Sequence, residues 1–135
     1  MSAAFFDTNV LLYLLSADDE KANRAEQLLM TGGVVSVQVL NEFASVATRK
    51  LAMPWKEIDD VLQAVRALCV VQPLTIETHE RGLAIAQRYR LAVYDAMIAA
   101  SALLADCVVL YSEDFQDGRR IEKTLVIRNP FTARR

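Results

Sequence analysis

Four acidic side chains sit where surface solubility does not account for them. Asp7 closes the apolar run Ala3 to Phe6, and Asp114, in Tyr111-Ser112-Glu113-Asp114-Phe115, closes the run that begins at Cys107. Asp95 opens the almost wholly apolar stretch Ala96 to Ala105, and Glu42 lies between Asn41 and Phe43 where apolar residues recur at helical spacing. Two carboxylates about 5 Å apart at an effective dielectric of about 20 repel by roughly 3 kcal/mol, so four in one place require a compensating cation. With no histidine or cysteine beside them, the ion that suits such a set is Mg²⁺ or Mn²⁺, whereas zinc would want nitrogen or sulfur ligands. Each acid also has an ordinary reading. Asp7 and Asp95 precede helices and could be N-caps, Glu42 shares a helix face with Ser45 and Arg49, and Asp114 and Asp117 could be turn residues.

The flanking pattern supplies the elements that would bring the four together. Short apolar runs at residues 3–6, 34–37, 70–74 and 107–111 read as strands, and 125–127 as a possible fifth. Helices are expected from Val10, from the acidic start Asp18-Asp19-Glu20 to Met30, over 38–51, after Pro54, over 77–90 and over 95–105. Strands of four or five residues separated by helices imply right-handed crossovers onto a parallel sheet covered on both faces. Such sheets bind ligands at the carboxyl ends of their strands, where Asp7 and Asp114 fall.

The chain has 135 residues, 53% of them hydrophobic, which fits one domain with a large core and excludes a disordered or fibrous protein. Its 15 Lys and Arg against 17 Asp and Glu exclude a histone-like coating of nucleic acid. The charges are nevertheless segregated: residues 1–118 carry 9 basic and 16 acidic side chains, net −7, and residues 119–135 carry six basic and one acidic, net +5. Arg119 and Arg120, directly after the Asp114 to Asp117 loop, are candidates to hold a polyanion that the acids repel, while a solvated basic end is the plainer alternative; Arg134 and Arg135 at the terminus are expected to be disordered. Cys69 and Cys107 lie in apolar runs as free thiols, and no signal peptide or membrane-length run is seen, so a cytoplasmic protein is expected. The apolar excess, with Leu28, Leu29, Met30 and Trp55, suggests a homodimer.

Phe5-Phe6-Asp7-Thr8-Asn9-Val10, Asn41-Glu42-Phe43, Tyr94-Asp95-Ala96-Met97-Ile98 and Ser112-Glu113-Asp114-Phe115 together resemble, in order and spacing, the motifs of PIN-domain ribonucleases, and among them the VapC toxins of bacterial toxin–antitoxin pairs. That resemblance implies a three-layer α/β/α fold with a short, mainly parallel central sheet of four or five strands in a single domain. It also implies Mg²⁺-dependent hydrolysis of RNA. Asp7, Glu42, Asp95 and Asp114 would be the acidic quartet, with Asp7, Asp95 and Asp114 on the metal, Asp117 a further acid, and Ser112 and Asn9 ancillary. A VapB-like antitoxin would be the partner, inserting a segment into the acidic cleft, and any DNA contact would belong to that partner. The chain departs in carrying Ser112 where Thr is frequent and in its longer basic end.

Two other classes remain open at this point. An Asp closing the first strand also resembles haloacid-dehalogenase phosphatases, but these need a second Asp two residues on, where this chain has Asn9. A non-catalytic RNA- or protein-binding module of the same fold is the other, against which a complete quartet weighs. His79, the only histidine, is assigned to a helix surface and Trp55 to packing or an interface.

Overall fold

The computed structural model describes residues 3–131. Strand β1 (Ala4–Phe6) turns at Asp7 into helix α1 (Thr8–Leu12), which tightens into a 3₁₀ turn at Tyr13–Leu15. Helix α2 (Asp19–Met30) follows, then β2 (Gly33–Ser36), α3 (Val37–Arg49), α4 (Trp55–Leu68) and β3 (Cys69–Gln72). The chain continues through α5 (Ile76–Tyr89), α6 (Val93–Leu104) and β4 (Val109–Tyr111), and closes with β5 (Arg120–Ile121) and β6 (Leu125–Arg128).

The six strands lie in the order β3-β2-β1-β4-β6-β5, all neighbours parallel except β5 and β6. Phe5 and Phe6 point to opposite faces of β1, yet both are fully buried, as are Val34 and Val35 nearly so on β2. Helices therefore cover both faces, the three-layer arrangement that the sequence implies. The sheet has one strand more than the four or five expected. The extra strand, β5, has two residues and pairs antiparallel with β6 across a turn at Glu122 and Lys123 whose φ values are 55° and 68°. Left-handed turns of this kind usually announce themselves by Gly or Asn, and here neither is present.

One further expectation needs correction. Leu28 and Leu29 do not lie beyond the core: they are 6% and 2% exposed and face inward from α2, whereas Met30 and Trp55 are exposed. The cysteines are free and buried as expected, and burial pushes both thiols up to about 11. Among the described residues no helix is long and apolar enough to cross a membrane. Arg134 and Arg135 lie outside the described residues.

Candidate active site

Backbone first brings the acids to one edge. The Asp7 amide bonds the Tyr111 carbonyl (3.0 Å), extending the β1–β4 ladder by one residue, and the chain then turns straight into α1 with Asp7 as N-cap. Strand β2 passes into α3 without a loop because buried Ser36 caps the helix, its Oγ accepting from the Val39 amide at 3.2 Å. That places Glu42 in the second turn of α3. Asp95 is the third residue of α6, where the helix dipole favours a carboxylate, and Asp114 follows β4 in a bend. Asp7, Glu42, Asp95 and Asp114 thus line one cleft of about 350 Å³, with Thr8, Asn9, Ser45 and Arg49 as its other polar walls and Leu12, Val46 and Ile98 as apolar ones.

Hydrogen bonds fix the cleft from below. Ser112, fully buried, donates from Oγ to Asp7 Oδ2 (2.7 Å) and accepts from the Asp114 amide (3.1 Å) and Asn9 Nδ2 (3.4 Å). One hydroxyl therefore ties two of the acids and Asn9 together. The other Asp7 oxygen accepts from the Thr8 amide at 2.6 Å, and Asn9 Oδ1 accepts from the Glu113 amide at 3.3 Å. Thr8 Oγ1 donates to Glu42 Oε1 (2.7 Å), and buried Gln38 donates from Nε2 to the Tyr94 carbonyl (3.1 Å) and, at 3.5 Å, to Glu42 Oε2. Residue type alone does not mark Thr8 or Gln38 as site residues. The spacing of Gln38 four residues before Glu42, which puts both on one helix face, was the available signal.

The electrostatics are unfavourable as they stand. Burial, opposed by the bonds from Ser112 and Thr8 and reinforced by Asp114 and Glu42, raises the Asp7 carboxyl from 3.8 to about 7. Asp95 is raised by burial and by the same two neighbours. No ammonium or guanidinium forms an ion pair with any of the four among the described residues, and the positive charge they lack is what a hard divalent cation carries. The side chains as placed do not draw three or more carboxylates onto a single point among the described residues, so the fit to such a cation lies in the oxygen-only donor set and the shared cleft.

The remaining expected site residues are elsewhere. Asp117 accepts from the Asn129 amide at 2.9 Å and does not line the cleft. Arg119 donates to the Tyr89 carbonyl (2.8 Å), with its guanidinium over the Tyr89 ring, and so fastens the C-terminal hairpin to the end of α5. Arg120 is exposed on β5 and reaches the Lys123 carbonyl at 3.5 Å. Neither arginine lines the cleft, so adjacency to the Asp114 loop in sequence did not become adjacency of side chains to the acids.

This sheet order with carboxylates at the strand ends is accompanied by a match to the PIN domain family over residues 4–121, and the chain belongs to that family. Among solved structures it is similar to a toxin–antitoxin complex from Klebsiella pneumoniae, at 23% identity and a TM-score of 0.73, over 97% of this chain and 100% of that one. It is similar also to VapC20 of Mycobacterium tuberculosis, a sarcin-ricin loop cleaving toxin, at 20% identity and 0.68 over 84% and 92%. DNA-bound VapBC from Salmonella typhimurium matches at 19% identity and 0.70 over 96% and 99%. Comparison with curated proteins gave no match.

Proposed function

We propose that the protein is a divalent-metal-dependent endoribonuclease and the VapC-type toxin of a toxin–antitoxin pair. The observation that carries this reading is the convergence of Asp7, Glu42, Asp95 and Asp114 on one cleft, with the carboxyls of Asp7 and Asp95 raised by burial and by their neighbours. Asp7, Asp95 and Asp114 would hold Mg²⁺, or Mn²⁺ in its place. When bound, the cation neutralises the carboxylates and lends charge stabilisation to a phosphodiester under attack. Ser112 keeps one Asp7 oxygen in place and thereby sets how that carboxylate faces the cleft. Glu42, held by Thr8, orients the attacking water opposite the leaving 3′-oxygen, so that the product carries a 5′-phosphate.

Membership of the PIN family supports a nuclease, and similarity in fold to toxins crystallised with antitoxins supports an antitoxin partner. That partner would place a basic segment among the carboxylates and would carry any DNA contact. Exposed Arg120 is a contact for RNA backbone away from the cleft. A homodimer, assembled through exposed apolar residues such as Met30 and Trp55, would sediment at twice 15.1 kDa at micromolar concentration, and a clean monomer would refute it. The site in the reducing cytoplasm is inferred from the free buried thiols.

Single-stranded RNA incubated with the protein in Mg²⁺, after EDTA, and after Mn²⁺ is restored tests the catalytic reading. Cleavage lost in EDTA and recovered with metal, leaving 5′-phosphate ends, is expected. Cleavage undiminished in EDTA would contradict it.

A further inference from the structure

An acidic cleft repels the polyanion it is proposed to cut, so a positive side chain must meet the substrate close by. Among the described residues Arg49 is the one basic side chain that lines the cleft. It closes α3, the helix that carries Glu42, and its Nε donates to Ser45 Oγ at 3.0 Å, one turn back on the same face. Ser45 lines the cleft as well. The bond leaves the two terminal amino groups of the guanidinium without a hydrogen bond or an ion pair among the described residues, although four carboxylates share the cleft. The side chain is exposed.

We propose that Arg49 is a substrate-positioning residue that grips an RNA phosphate beside the scissile one. The inference rests on the endoribonuclease reading above and names how that site holds its substrate. Geometry gives the placement. Arg49 lies seven positions after Glu42, about 10 Å along the α3 axis at the backbone, and the Ser45 bond draws its guanidinium back along the helix toward the cleft, where a phosphate beside the reacting one would lie. Ser45 holds the stem, and the planar fork offers paired N–H groups that match phosphate oxygens. A basic residue in the last turn also suits the helix dipole. That role alone would leave substrate affinity untouched.

The test compares the parental protein with Arg49→Ala and Arg49→Lys. Steady-state cleavage of a short single-stranded RNA is measured in Mg²⁺, and binding is measured with each variant combined with Asp7→Asn so that the RNA stays whole. For Arg49→Ala the expected result is KM and Kd raised about tenfold with kcat within about twofold, as for loss of one charged hydrogen bond made equally in ground and transition states. The slope of log K against log salt should flatten by about 0.7, the share of one phosphate on a single strand. Arg49→Lys should recover part of the affinity, since it keeps the charge and loses the fork. A parent that cleaves RNA while Arg49→Ala keeps its KM, Kd and salt slope would overturn the inference alone. A parent without metal-dependent cleavage would overturn the reading beneath it and the inference together.

Discussion

The two ends of strand β1 are built to opposite rules. At its start the sheet leaves no room for a neighbouring side chain: a Cβ added to Gly33 on β2 would stand 2.6 Å from the Ala4 carbonyl oxygen and 2.5 Å from Phe6 Cε2. Three residues on, the same strand delivers Asp7, 3% exposed, into a cleft with three other acids. The first end gains stability from contact, and the second loses it, because a carboxyl raised from 3.8 to about 7 costs on the order of 4 kcal/mol when ionised in the metal-free fold. Stability and chemistry are thus separable along one short strand, and substitutions at its two ends should fail differently.

The largest effect is expected at the acidic end. Asp95→Asn should lower Mg²⁺-dependent RNA cleavage by ~1000-fold, beyond the 10–100-fold typical of losing a group that only supports a ligand, while circular dichroism and sedimentation stay parental. Cleavage within tenfold of the parent would remove Asp95 from the metal-holding set. At the packed end, Gly33→Val should destabilise by roughly 3 kcal/mol, about 10 °C in melting temperature, because neither the Ala4 carbonyl nor the buried Phe6 ring can retreat without parting β1 from its neighbours. An unchanged melting curve would show that the strands have slack there.

Ser112 joins the two regimes, since it is fully buried and yet serves the cleft. Ser112→Ala should reduce cleavage about 10–100-fold, with Ser112→Thr retaining most of it, because the hydroxyl to Asp7 Oδ2 is what the cleft needs. Equal loss in both variants would point to packing as the cause.

A smaller effect follows from protonation. The folded carboxyl of Asp7 titrates near 7 and the unfolded one near 3.8, so the metal-free native state binds the extra proton between these values. Its stability should therefore fall as pH rises from about 4 to about 7 and level off above, relative to Asp7→Asn measured in the same EDTA buffers. Parallel pH curves for the two proteins would show that Asp7 is not held in the raised state.

The packed end was harder to read from sequence than the acidic one. The acids were legible because they broke or bounded apolar runs: Asp7 after Phe6, Asp114 soon after Tyr111, Asp95 before Ala96 and Glu42 within Val39 to Phe43 stand at positions the hydrophobic pattern marks, and the family resemblance grouped them. In the sequence Gly33, beside Gly32 and shortly after Met30, reads as no more than the stop of a helix. Its role as the point of nearest approach depends on which strand lies beside it, a nonlocal fact. Strand β5 was missed because two residues carry no periodicity, and Arg119 was misplaced because its neighbour in space is Tyr89, 30 positions away in the chain. Thr8, Gln38 and Arg49 acquire meaning only when α1, α3 and α6 meet around the cleft.

If the carboxyl end of β1 gives up stability to hold a catalytic cation, Asp7→Asn should gain in folding what it loses in cleavage. Melting in EDTA and RNA cleavage in Mg²⁺ are recorded on the same preparation beside the parent. At pH 8, where the Asp7 carboxyl is ionised, removing the buried charge should raise the metal-free melting temperature by several degrees, about 1–3 kcal/mol, because the amide has one acceptor oxygen for the two donors Ser112 and Thr8 and so recovers only part of the penalty. Cleavage should disappear in that same sample. A variant that melts lower than the parent, or that still cuts RNA at the parental rate, would contradict the account.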